Sequence, residues 1–77
     1  MLHWSVYIIR CSDKSLYTGI ATDVAARVRI HNSGKGAKYT RSRRPVRLVY
    51  KKAMRSESAA RKREAQIKKL FKNLRNL

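Results

Sequence analysis

The sequence is short and strongly basic. A chain of 77 residues fits one domain, and at this length it buries only about 60% of its unfolded surface, so each large apolar side chain matters. Twenty Lys and Arg residues oppose four Asp and Glu, which gives a formal net charge of +16. Such a charge repels itself unless a polyanion binds. Nucleic acid, an anionic membrane surface and an acidic protein all satisfy that requirement.

Three sequence features argue against other classes. The longest apolar run surrounds residues 6–9, far short of the roughly 18 residues that a membrane span needs. The first residues lack the basic and apolar regions of a signal peptide. The lone Cys11 has no partner for a disulfide within the chain. We therefore expect a cytoplasmic protein with no membrane partner.

Two short strands are predicted first. Residues 2–11 alternate in the manner of a well-buried strand. Polar residues at 12–15 predict a turn, and residues 16–21 form a second strand that pairs with the first as a hairpin. Tyr17 and Gly19 then lie on one face of that strand.

A helix is predicted over residues 24–32, with Thr22 or Asp23 as its N-cap. Arg27 and His31 are four residues apart, so they project from neighbouring turns and should lie beside the sheet.

The second half of the chain predicts a loop, a strand and a helix. Residues 32–45 form a Gly-punctuated loop with room for one helical turn, and residues 46–52 form a third strand. The last helix begins at Ser56 or Glu57 and runs to about residue 70 or beyond. The order β-β-α-loop-β-α is typical of an α+β fold. We expect most of these side chains to be buried: Trp4, Val6, Ile8, Leu16, Val28, Leu48, Val49, Ile67, Leu70 and Phe71.

Glu64 is unusual because it lies on the apolar face of the last helix, three residues before Ile67. One explanation is an ion pair with a neighbouring Lys or Arg. The other is metal binding, since Mg²⁺ prefers oxygen ligands and often takes only one or two carboxylates.

Arg27 and His31 each have a structural and a functional interpretation. Arg27 could pair with Asp23 or Glu64, or it could hold a phosphate and neutralise charge during phosphoryl transfer. His31 titrates in the range that suits a general base, although a single helical histidine often has a structural role.

Tyr7 and Tyr17 could pack as cross-strand aromatics, or their hydroxyls could orient or deprotonate an attacking water. Gly19 allows a phosphate or a ring to approach the backbone, or it marks a bend.

The loop combines cations with one aromatic ring. This pattern predicts a track for backbone phosphates with a ring for stacking, few groups to read bases, and hence weak sequence preference. The residues concerned are Lys35, Lys38, Tyr39, Arg41, Arg43 and Arg44.

A series of residues resembles the GIY-YIG nuclease family, and in particular its small bacterial stand-alone members. The series is Ser5-Val6-Tyr7, Tyr17-Thr18-Gly19, Arg27, His31 and Glu64, and the resemblance covers residues 4 to about 70. It implies one domain over residues 1–77, with a three-stranded sheet flanked by helices.

The resemblance also implies a function, which is Mg²⁺- or Mn²⁺-dependent hydrolysis of phosphodiesters in DNA rather than RNA. Glu64 would hold the metal and Arg27 would steady the phosphate. Tyr17 or Tyr7, helped by His31, would position or deprotonate the water. Single-stranded or branched DNA is the expected substrate, and a protein partner is left unidentified.

Two positions depart from the family pattern. Ser5 replaces the first glycine, and Ile20 replaces a lysine that assists the tyrosine in part of the family. The general base therefore stays open among Tyr7, Tyr17 and His31, with His31 favoured. Two alternatives to an active nuclease are a nucleic-acid-binding module that depends on a partner and a basic RNA-associated protein.

Overall fold

The computed structural model describes residues 3–75. The strands are β1 (Trp4–Arg10), β2 (Leu16–Ala21) and β3 (Arg47–Met54), and the helices are α1 (Val24–Asn32), α2 (Lys38–Arg41) and α3 (Glu57–Arg75). This arrangement confirms the predicted α+β fold with a three-stranded sheet. β3 runs further than predicted, α3 extends beyond residue 70 as the prediction allowed, and the predicted start of β1 at residue 2 lies outside the described residues.

The sheet is antiparallel, with β1 in the centre and the order β2-β1-β3. Tyr7 pairs with Gly19 and Ile9 pairs with Tyr17. Because side chains alternate along a strand, all four residues lie on the same face of the sheet. The hairpin register therefore brings the two tyrosines into one neighbourhood.

Helix α1 covers that face. Its N-cap is Asp23, whose carboxylate accepts a hydrogen bond of 3.0 Å from the Ala26 backbone N–H. Val24 is buried in the core and Val28 packs against it. One turn beyond Val28, His31 is fully buried, as expected for a side chain that projects toward the sheet.

Helix α3 packs on β1 and β2. The Ser56 hydroxyl caps it by accepting a 3.1 Å hydrogen bond from the Ala59 backbone N–H. Ala60 and Ile67 are buried at a spacing of seven residues, which keeps them on one side of the helix. Val6 is fully buried although it faces away from the α1 side, so α3 covers the opposite face of the sheet. None of the helices within residues 3–75 has the length and apolar character of a membrane span.

The core is smaller than the sequence predicted. Val6 and Ile67 are buried, and Trp4, Ile8, Val28 and Phe71 are partly buried. Four expected core residues are instead exposed, namely Leu16, Leu48, Val49 and Leu70. The exposure of Leu16, Leu48 and Val49 follows from the topology, since β2 and β3 are both edge strands and a three-stranded sheet leaves much of its rim in solvent.

Candidate active site

A chain of hydrogen bonds connects β1, α1 and α2. The Tyr7 hydroxyl lies 2.9 Å from His31 Nε2, and His31 Nδ1 lies 2.9 Å from Thr40 Oγ1. The Thr40 hydroxyl donates its own proton to the Ala37 carbonyl at 2.9 Å. Thr40 can therefore only accept from His31, which puts the proton of the neutral imidazole on Nδ1. Nε2 is then an acceptor that takes its hydrogen bond from Tyr7.

Two glycines make room for this chain. A Cβ on Gly19 would lie 2.6 Å from the Tyr7 hydroxyl oxygen, and one on Gly36 would lie 2.8 Å from His31 Cα and overlap the imidazole. Tyr7 and His31 are both almost completely buried. Gly19 is thus covered by the Tyr7 ring, one of the two groups the sequence predicted would approach it.

Arg27 supplies positive charge beside these groups. Within residues 3–75 it makes no ion pair, so neither Asp23 nor Glu64 is its structural partner. Burial lowers the pKa of His31 below its usual value, and the Arg27 charge lowers it further. An uncompensated guanidinium at a partly buried position is suited to binding an anion.

The Tyr7 hydroxyl is where the candidate residues converge. Burial raises its pKa, the neighbouring Tyr17 and, more weakly, Glu64 raise it as well, and Arg27 opposes them. Tyr7 and His31 are therefore both neutral near pH 7. Side chains from β1, β2, α1 and α3 thus act on one hydroxyl.

Tyr17 is the more accessible tyrosine. Its ring meets the His31 ring edge-on at a centroid distance of 5.2 Å, and it stacks on Tyr39 at 6.1 Å. It is half-buried and lines an open cleft, whereas Tyr7 is 1% exposed. Tyr17 is therefore the tyrosine better placed to meet a substrate.

Glu64 forms the ion pair expected of it, and its carboxylate stays partly accessible. Its carboxylate forms an ion pair with Lys68 at 3.2 Å, and its side chain keeps 23% of its surface exposed. The described residues hold no group of three His, Cys, Asp or Glu side chains near one another. A single accessible carboxylate still fits Mg²⁺ or Mn²⁺, because such ions commonly keep several waters and add substrate phosphate oxygens.

The cationic loop is partly used for structure. Arg43 pairs with Asp13 at 2.9 Å, donates to the Tyr39 carbonyl at 2.8 Å and lies 4.0 Å above the Tyr39 ring. Arg44 donates to the Arg41 carbonyl at 2.9 Å. These contacts hold the loop in place, and they engage part of the Tyr39 ring, which also stacks on Tyr17.

Four cations of the predicted track are exposed, namely Lys35, Lys38, Arg41 and Arg44. Arg44 is held by a loop carbonyl, and the side chains of the other three are available to phosphates. Direct contact with nucleic acid stays a prediction for all six residues of the track.

Three residues that shape the site had no role assigned to them from the sequence. Thr40 accepts from His31, Gly36 accommodates its ring, and Asn32 fixes the loop by exchanging two hydrogen bonds with Val46, at 2.7 and 3.0 Å. No helix or strand period relates Thr40 or Gly36 to His31, because the contacts form through an irregular loop. The one available signal was the presence of two glycines within three residues of a short cationic segment.

Comparison with known proteins decides the family. A sequence model described as the GIY-YIG catalytic domain matches residues 3–76. The chain belongs to the GIY-YIG family. This membership confirms the resemblance seen in the sequence. The GIY-YIG domain is a nuclease-type domain, and the nucleases that carry it generally depend on a divalent metal.

Small proteins of the same family are similar over most of the chain. A UPF0213 protein of Desulfotalea psychrophila is 59% identical over 68 residues, which are 87% of this chain and 62% of that protein. The chain thus spans less than two thirds of this relative. A UPF0213 protein of Staphylococcus haemolyticus is 59% identical over 63 residues, 82% of this chain and 77% of the relative.

A solved structure supports the fold. The solution NMR structure of a UPF0213 protein from Bacillus halodurans is 50% identical, with a TM-score of 0.53 over 86% of this chain and 70% of that one. The names of these relatives state no activity.

Proposed function

We propose that this chain is a metal-dependent endonuclease that hydrolyses DNA phosphodiesters with weak sequence preference, favouring single-stranded or branched DNA. The proposal rests chiefly on the hydrogen bond between Tyr7 and His31, with the Tyr17 ring against the His31 ring. The charges of Arg27 and Glu64 lie close enough to shift the pKa of Tyr7. Two tyrosines could meet as ordinary packing. An unpaired guanidinium and an accessible carboxylate beside them are the groups that phosphoryl transfer requires.

Arg27 and Glu64 are assigned complementary roles. The Arg27 guanidinium binds the scissile phosphate and neutralises the charge that develops on its oxygens. The Glu64 carboxylate would hold Mg²⁺ or Mn²⁺, and a bound ion of this kind stabilises the leaving oxygen as a Lewis acid.

The two tyrosines and His31 are assigned to the attacking water. The water oxygen bonds to phosphorus as the bond from phosphorus to the 3′ oxygen breaks, which yields a 5′-phosphate and a 3′-hydroxyl once solvent protonates the leaving oxygen. Tyr17 orients the water. The water gives one proton to the Tyr7 hydroxyl oxygen. At the same time Tyr7 passes its own hydroxyl proton to His31 Nε2, which lies 2.9 Å away.

This assignment revises the role first expected of His31. Both nitrogens of the His31 imidazole already hold hydrogen bonds, so neither is free to accept directly from the water. His31 acts only through Tyr7, and Thr40 keeps it in the required tautomer. The lowered pKa of His31 keeps it neutral and able to accept a proton near pH 7.

One observation favours an alternative function. Tyr7 is only 1% exposed, so the site is closed over one of its central groups. A nucleic-acid-binding module that cuts only when a partner opens the site would have the same structure. Cleavage by the purified chain alone separates the two functions.

The experiment is a cleavage assay on labelled single-stranded, duplex and branched DNA and on RNA, with and without Mg²⁺ or Mn²⁺. Glu64→Gln and Arg27→Ala should each lower the cleavage rate by about 100-fold or more, because each removes a charge that stabilises the transition state. Glu57→Gln and Arg29→Ala are matched controls on the same two helices, and they should cut at the wild-type rate.

Two results would contradict the nuclease. One is no cleavage of any substrate by wild-type protein with either metal. The other is unchanged cleavage by folded Glu64→Gln and Arg27→Ala variants.

A further inference from the structure

An open cleft of about 460 Å³ adjoins the candidate active site, between β2, α2 and α3. Three rings contribute to its walls, those of Tyr17, Tyr39 and Phe71, and Lys68 and Lys72 stand at the same opening. Its volume lies within the roughly 300–1,000 Å³ range of small-molecule and cofactor pockets. The cleft is large enough for one flat heterocycle together with solvent.

The lining combines stacking surfaces with positive charge. Aromatic side chains bind single-stranded nucleic acid by stacking on its bases, and each base offers such a face whatever the sequence. The two lysines suit the phosphates on either side of a stacked base. With a net charge of +16, the protein as a whole attracts the same polyanion.

A second observation concerns Thr18, which belongs to the lining and is 2% exposed. Among the described residues its hydroxyl oxygen is a buried side-chain polar atom without a hydrogen-bond partner. Buried polar groups are nearly always paired, so this one calls for an explanation. The edges of nucleobases carry donors and acceptors that a hydroxyl can meet.

The cleft is continuous with the candidate active site. Tyr17 lines the cleft and contacts His31. Lys68 also belongs to both, because it pairs with Glu64 and lies 6.0 Å from the centre of the Tyr17 ring. A nucleotide whose base occupies the cleft therefore places its own phosphate near Glu64.

We propose that this cleft is a nucleobase subsite, which takes one unpaired base of the substrate strand beside the phosphate to be cleaved. The inference rests on the proposed function and deepens it by naming how unpaired DNA is selected. In a duplex the base is stacked and paired, so it cannot enter the cleft without being extruded. Duplex DNA would then bind through its phosphates alone.

The first test measures binding by fluorescence anisotropy, with labelled single-stranded and duplex oligonucleotides of equal length in EDTA. Phe71→Ala should weaken single-strand binding about ten-fold, the scale of one lost base–aromatic contact, and leave duplex binding unchanged. Leu70→Ala is the matched control, because Leu70 is the neighbouring residue, 56% exposed and outside the cleft. It should change neither affinity.

The contribution of a lysine in the cleft can be compared with that of a lysine outside it. Lys72→Ala should lower single-strand affinity more than Lys69→Ala, since both lysines are exposed on α3 but only Lys72 lines the cleft. Equal losses would mean that the lysines act only through net charge, and would count against the subsite.

A third variant distinguishes a loss of base binding from a loss of folding. Thr18→Val keeps the shape of the side chain and removes a hydroxyl that has no partner, so the melting temperature should stay the same or rise. Single-strand affinity should nevertheless fall by roughly three- to ten-fold, the range of one neutral hydrogen bond. Thr22→Val, at an exposed position beyond the end of β2, should leave the affinity unchanged.

The subsite is overturned if Phe71→Ala and Thr18→Val both bind single strands as the wild type does, or if they weaken duplex binding equally. Neither measurement requires cleavage. A nuclease without this subsite and a base-binding module without nuclease activity therefore give different results.

Discussion

The two edges of the sheet are built very differently. On the β2 side, Tyr7, His31 and Thr40 are almost completely buried, and each of their polar side-chain atoms has a hydrogen-bond partner. On the β3 side, Leu48 and Val49 are more than a third exposed although they are apolar. The small core is concentrated beneath the candidate active site. Stability in this domain should therefore be most sensitive to changes in the polar chain of the site and least sensitive along β3.

The largest effect on stability is expected at Thr40. Thr40→Val keeps the volume of the side chain but leaves the His31 Nδ1–H buried without an acceptor. We expect the free energy of unfolding to fall by about 1–3 kcal/mol, the usual penalty for an unsatisfied buried polar group. Urea denaturation followed by circular dichroism measures this change.

An exposed threonine provides the control for Thr40→Val. Thr22→Val should change the free energy of unfolding by less than about 0.5 kcal/mol. If Thr40→Val proved equally neutral, the hydrogen-bonded chain would not hold the site together. The difference in stability between the β2 side and the β3 side would then come from apolar packing alone.

A smaller and gradual effect is expected from pH. The pKa of His31 is lower in the folded protein than its ordinary value near 6.5. The unfolded chain therefore binds a proton first as the pH falls. The stability contributed by the neutral imidazole is complete above about pH 6.5 and is lost as the pH falls toward the folded pKa.

The measurement compares melting temperatures between about pH 7.5 and pH 5 for the wild type and His31→Gln. The wild type should lose more stability on acidification than the variant, which cannot titrate at this position. An equal loss in both proteins would show that the acids, rather than His31, cause the pH dependence.

Most of the fold could be predicted because its elements have local signals. The strand β2 and the helix α1 were predicted with their observed bounds, since alternation and the N-cap at Asp23 act within a few residues. The exposure of the apolar residues of β3 to solvent could not be predicted in this way. The apolar residues at 48 and 49 resemble a core strand in sequence, but their exposure depends on β3 lying at an edge of the sheet.

The residues of the candidate site also fall into two groups, those that a local sequence pattern predicts and those that depend on the tertiary structure. The spacing of Tyr17, Arg27 and His31 places these residues on known faces of a strand and a helix, and the structure brings them together. The contacts of Thr40 and Gly36 with His31 arise from the path of the loop between α1 and β3. No period in the sequence predicts that path, so the residues that fix the imidazole could be found only in three dimensions.

The smallest effect is expected at Val49, where the contrast between the two edges is most directly tested. Val49 is 48% exposed on an edge strand, and threonine has the same branched shape and a good strand propensity. Val49→Thr should therefore change the free energy of unfolding by less than about 0.5 kcal/mol in urea denaturation. Val6→Thr on the central strand is the matched comparison, because Val6 is fully buried and a hydroxyl there must be desolvated, at a cost of about 1–3 kcal/mol.

A large loss of stability in Val49→Thr would mean that the β3 surface is covered in the folded protein in solution, for example by a second copy of the chain. In that case the instability of the variant would depend on protein concentration, since dissociation of the copies would then contribute to unfolding.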